Sequence, residues 1–183
     1  WEKRGKGEAM KLASQIFSFI GCAMLVLCVL LIVFAHLFVP LTVPGFSPEH
    51  QQLTIRLSQI MFGSSFFLGL SAVMGGVLQS MKRFFAFSLA PILYNLGIII
   101  GIYFFAPMWG VYGIAWGVVL GAAFHFFAQM TVAIPLGLNN LPFPSWKPEG
   151  VRRLLVLMIP RTASLAVSQV NLIIILIFAS VLP

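Results

Sequence analysis

Charge is what this sequence has least of. Of its 183 residues only 8% are charged and four are acidic. No two carboxylates fall together inside an apolar run, so the paired-carboxylate arrangement of many hydrolytic sites is excluded. There is no HExxH, no Cys/His ligand cluster and no Gly-rich phosphate loop in a strand-to-helix context. Catalysis, a metal and a cofactor therefore have no residues to rest on. Segments of about ten residues with alternating hydrophobicity, which a membrane β-barrel needs, are absent as well. Cysteine is scarce: Cys22 and Cys28 stand six residues apart on one expected helix, about 9 Å along its axis at 1.5 Å per residue. That separation is too long for a bridge between them, and both read as small buried hydrophobes.

What the sequence has is hydrophobicity, at 60% of all residues, arranged in runs of about twenty residues or more. The reading is an all-α membrane protein with five transmembrane helices over Leu12–Val39, Leu53–Gln79, Phe84–Ala106, Val111–Ile134 and Val151–Leu182. The connections carry the usual breakers: "PLTVPGFSPEHQQ" after the first helix, "PMWG" after the third and "GLNNLPFPSWKPEG" after the fourth. The chain opens on Trp1 in a polar stretch and stops at the end of an apolar run. It is read as an internal piece of a longer protein, without a signal peptide of its own.

The net charge of +7 does not point to nucleic acid, because no basic face interleaved with exposed aromatics appears. The cations instead alternate from connection to connection. Lys3, Arg4, Lys6 and Lys11 precede the first helix; Lys82 and Arg83 follow the second; Lys147, Arg152 and Arg153 precede the fifth. The connections after the first and third helices carry no Lys or Arg, with Arg56 just inside the second helix on that side. By the positive-inside bias the start of the chain is cytoplasmic and Pro183 extracytoplasmic.

Lipid offers helices no hydrophobic reason to associate, so small residues that allow close backbone approach mark the contacts. Gly113, Gly117 and Gly121 recur at steps of four on the fourth helix. Ser65, Gly69, Ala72 and Gly76 form a second ridge on the second helix, and Gly97 and Gly101 form a weaker pair on the third. His125 continues the fourth-helix ridge by one more step and is read as an interhelical hydrogen-bonding group; it lies too far from His36 to share a metal. Pro91 and Pro160 each remove a backbone donor, and a kink or local break is expected near both.

The fifth helix holds the least expected residues. Arg161, Ser164, Ser168 and Asn171 follow steps of three, four and three and so share a face, with Gln169 beside it. An arginine about 12 Å past Arg153 along the helix reaches the interface only under strain. Such a stripe belongs against protein or a water-filled cavity rather than lipid. A structural polar contact and a cavity lining both fit the residues.

The stretches "VPGFSPEHQQLTIRLSQIM", "GGVLQSMKRFFAFSLAPILYNLGIIIG", "GVYGIAWGVVLGAAFHFFAQ" and "PEGVRRLLVLMIPRTASLAVSQVNLII" resemble, in order and spacing, the MurJ/MviN lipid II flippases. That family belongs to the multidrug/oligosaccharidyl-lipid/polysaccharide exporter superfamily. The resemblance implies that the helices are the third to seventh of fourteen. Residues 1–136 then hold four helices of the N-terminal bundle, 137–150 a cytoplasmic linker and 151–183 the first helix of a second bundle. It implies a multi-pass protein of the bacterial inner membrane that moves a lipid-linked peptidoglycan precursor by alternating access, with membrane lipids and the remaining helices of the full-length protein as partners. Many members have Asp or Asn followed by Thr after the "QxNL" stretch, where this chain has Ile175 and Leu176; a sodium site there lacks its oxygen donors. An exporter of another polyprenyl-linked oligosaccharide or of drugs, and a structural subunit of a membrane complex, are the other readings.

Overall fold

A computed structural model describes residues 6–138, 142 and 149–181. The elements among them are α1 (Lys6–Thr42), α2 (Pro48–Ser80), α3 (Phe84–Ile100), a π-helical turn (Gly101–Phe105), α4 (Ala106–Trp109), α5 (Val111–Ala133) and α6 (Glu149–Val181). Since α3, the π turn and α4 follow one another without a gap, Phe84–Trp109 acts as one span. With α1, α2, α5 and α6 it makes five helices long and apolar enough to cross a membrane. The protein is an all-α membrane protein.

Helices α1 and α2 outrun the apolar runs from which they were expected. Hydropathy marks the part of a helix that suits lipid, whereas polar flanks decide where the helix stops. At α2, Ser47 accepts a hydrogen bond from the His50 backbone N–H at 3.4 Å, Pro48 takes the first turn and Glu49 adds an anion at the positive end of the helix dipole. Helix α2 therefore starts five residues before Leu53. Helix α1 likewise begins in the polar stretch at Lys6, with Glu8 in its first turn.

Neither proline breaks its helix. Helix α3 runs on through Pro91 and α6 through Pro160. A proline removes one hydrogen bond from the ladder, and the neighbouring turns hold the helix together at both positions. The irregularity falls instead at Gly101–Phe105, where the ladder widens to a π turn. It begins at Gly101, one of the glycines against which the α5 backbone packs. The reversal into α5 is made by Gly110, whose φ of 57° suits a residue without Cβ.

In space α5 is the hub, packed between α2 and α3; α1 lies on the far side of α2, and α6 packs only against α1 among the described elements. The α3–α5 interface is backbone on backbone. Gly97 faces Gly121, Gly101 faces Gly117, and Gly113 meets the backbone of Phe105 and Ala106. Where α1, α2 and α5 meet, Met10, Phe17, Leu70, Met74, Leu78 and Phe126 form a buried cluster. Phe17 and Phe126 stack within it at 6.3 Å. A smaller cluster of Ala35, Val39, Val43 and Ile55 ties the other ends of α1 and α2 together. With no water to expel inside a bilayer, these contacts act through dispersion and fit.

The small-residue ridge expected on α2 is not its packing face. Ser65, Ala72 and Gly76 are exposed, and a Cβ on Gly76 would meet nothing within 4 Å. Gly69 lies against the side chain of Met24. The buried face runs one residue away, through Ser64, Ser71 and Gly75. Small residues line both faces of this helix, and spacing alone does not tell which of the two meets α5.

Candidate functional site

Helix α6 is continuous from Glu149 to Val181, so its 3.6-residue period sets Arg161, Ser164, Ser168 and Asn171 along one side. All four, and Gln169, are exposed, and among the described residues none of the five side chains has a hydrogen-bond partner. The helix is held to the rest of the chain near its two ends. At one end Val151 is buried and Gly150 lies against the side chain of Leu12. At the other the Gly45 backbone N–H donates to Ser180 Oγ at 3.3 Å, while that hydroxyl donates to the Ile177 carbonyl at 2.8 Å. Between these ends none of the described elements covers the helix: Leu165, Val167 and Val170 are exposed, as the polar stripe is. Exposure does not single out the stripe. Its chemistry does, since a guanidinium, two hydroxyls and two amides line up where lipid would offer none of them a partner.

The other titratable groups fall into place within the four packed spans. His125 pairs through Nδ1 with Ser71 Oγ, so the bond joins α5 to α2; the Tyr94 ring meets the same imidazole edge-on at 6.4 Å. His36 bonds the Val33 carbonyl of its own helix at 3.0 Å. Among the described residues no group of three or more His, Cys, Asp or Glu side chains lies close enough to hold a metal. Cys28 is buried, whereas Cys22 is exposed rather than packed inside, and both are free thiols. Most of the 137–150 connection, including Trp146 and Lys147, lies outside the described residues.

One feature escaped the sequence. Arg56 and Gln59 of α2, Ile32 of α1 and Tyr112, Trp116 and Val119 of α5 line a cleft of about 590 Å³. Gln59 Nε2 donates to the Ile32 carbonyl at 2.9 Å and thereby fixes one wall. Arg56 and Gln59 stand three residues apart on one helix face, a signal that was present, but the aromatic wall comes from a distant segment and only the fold supplies it.

Comparison with known proteins points to one family. The family model described as "Lipid II flippase MurJ" matches residues 2–183. A probable lipid II flippase MurJ of Rhizobium tropici is 32% identical, over 94% of this chain and 34% of its own length. A lipid II flippase MurJ of Burkholderia cenocepacia is 35% identical, over 67% of this chain and 25% of its own. A probable lipid II flippase MurJ of Synechocystis is 26% identical over 99% of this chain and 36% of its own. The chain thus spans between a quarter and about a third of the length of these curated relatives. Matched along nearly all of its length, with five apolar spans in the order found here, the chain belongs to the lipid II flippase MurJ family.

Proposed function

We propose that this chain is part of a transporter that flips lipid II, the undecaprenyl-diphosphate-linked peptidoglycan precursor, across the bacterial inner membrane for cell-wall synthesis. The observation that carries the reading is the family match over residues 2–183. Residues 1–136 form four helices of the N-terminal bundle, 137–150 a cytoplasmic linker, and 151–183 the first helix of the second bundle, with the N-terminal end of the chain cytoplasmic. The separation of α6 from α2, α3 and α5 supports that division, since among the described helices α6 packs against α1 alone. The alternation of basic connections supports the orientation.

In this reading the polar stripe of α6 lines the cavity between the bundles. Arg161 heads the stripe and offers the diphosphate a planar fork of N–H donors, which binds phosphate oxygens in pairs. Ser164, Ser168, Gln169 and Asn171 extend the wettable strip along which a charged headgroup avoids hydrocarbon. Ile175 and Leu176 end it with side chains that supply no oxygen to a cation. The chemistry is translocation, and no bond in the substrate is made or broken. The test is complementation: the full-length gene restores growth to a bacterium depleted of its own lipid II flippase. Failure of a well-expressed, membrane-inserted protein to do so defeats the proposal.

A further inference from the structure

We propose that the cleft between α1, α2 and α5 binds an anionic phospholipid from the leaflet beside the α1–α2 connection, with the phosphate on Arg56 and the first part of an acyl chain along Ile60, Val119 and Trp116. Depth comes first. Arg56 is eight residues into α2, about 12 Å along the axis from Pro48, and Tyr112 and Trp116 stand in the first two turns of α5 at the same membrane face. A flexible arginine at that depth places its guanidinium near the headgroups while its stem stays among the acyl chains.

Charge comes second. Arg56 is exposed into the cleft, and among the described residues no carboxylate pairs with it. A cation at the edge of the hydrocarbon needs a counter-charge, and the phosphodiester of a bilayer lipid is the anion available there. Gln59 spends one amide hydrogen on the Ile32 carbonyl, which leaves its second N–H as a neutral donor beside the guanidinium.

Shape comes third. The walls beyond Arg56 and Gln59 are Ile32, Ile60, Val119 and the half-exposed Trp116, so the cleft is polar at one end and apolar along the rest. A free phosphate ion would use only the polar end; a phospholipid uses both. The apolar floor is open because Gly63 has no side chain: a Cβ there would meet only the Val119 methyls, at 3.8 Å and 3.9 Å, which is ordinary contact. This site is separate from the α6 stripe and depends only on the chain spanning a membrane.

The experiment is native mass spectrometry of the purified full-length protein in neutral detergent, with dioleoyl phosphatidylglycerol, dioleoyl phosphatidylcholine or inorganic phosphate added. The wild type should retain phosphatidylglycerol in preference to phosphatidylcholine and retain no phosphate. Arg56→Gln should lower retention of phosphatidylglycerol roughly tenfold, and Arg56→Lys less, because the charge remains but the fork is lost. Gly63→Leu fills the cleft without touching the charge and should lower retention as well. Equal retention by wild type and Arg56→Gln overturns the proposal. So does full retention by Gly63→Leu, which would mean a surface charge effect. A photo-crosslinker at Val119 that captures another protein segment in place of lipid also overturns it.

Discussion

Gly101 and Gly117 face each other with no side chain between them: a Cβ built on Gly117 lies 2.5 Å from the Gly101 Cα, well inside van der Waals contact. Gly121 and Gly97 repeat the relationship one turn away. Here the cost of substitution is set by backbone, which does not give as the tip of a long side chain gives. Gly117→Ala should destabilise the protein by about 1–3 kcal/mol, and Gly117→Leu should abolish most folded yield. Gly76→Ala, on the open face of α2, serves as the control and should be close to neutral. Thermal unfolding of the purified full-length protein, read by intrinsic fluorescence, checks all three. Equal melting temperatures for Gly117→Ala and Gly76→Ala reject the interface.

Ser71 and His125 form a hydrogen bond between α2 and α5 inside the membrane-spanning region. Interhelical bonds of this kind contribute about 0.6 kcal/mol on average and up to about 1.7 kcal/mol, because the separated helices also find partners. A double-mutant cycle with Ser71→Ala and His125→Phe should give a coupling energy in that range. Additive single-variant effects contradict the contact.

Arg161 separates a transport role from a structural one. Loss of a charge-assisted contact worth about 1.5–3 kcal/mol lowers a binding-dependent rate roughly ten- to a hundredfold. Arg161→Ala in the full-length protein should therefore fail to complement flippase depletion at normal expression, with Arg161→Lys intermediate. Equal loss of folded protein in both variants points to a structural bond instead, and full activity of Arg161→Ala removes Arg161 from the cavity.

Topology is open to direct labelling. A single cysteine at Ser47, in the connection between α1 and α2, should react with a membrane-impermeant maleimide added to intact cells. A single cysteine at Ser145, between α5 and α6, should react only after the membrane is opened. The reverse pattern overturns the assignment of the start of the chain to the cytoplasm.

The spans were legible because each carries a signal that repeats along its length. The α5 glycines at steps of four belong to that class: their period survives an error of a residue or two in the helix ends, and Gly113, Gly117 and Gly121 all lie at the α3 side of α5. The α2 ridge was not legible. Gly69, Gly76 and their neighbours share a period with the buried Ser64–Ser71–Gly75 face one residue away, and choosing between them requires knowing what lies on each side. The Arg56 cleft was hidden for a related reason, since Trp116 reaches Arg56 only across sixty residues of chain. The stripe on α6 was read from chemistry, and the fold adds only its position on a helix that the other described helices leave uncovered.

That helix is one unbroken rod of 33 residues, about 50 Å from end to end. It is pinned at Gly150 against Leu12 and at Ser180 against Gly45. Between those contacts no other described element packs against it. At the far contact the Gly45 backbone N–H donates to Ser180 Oγ at 3.3 Å, and the missing Gly45 side chain lets the two backbones close on each other. One continuous helix thus carries both contacts, and a change at either bears on the same element.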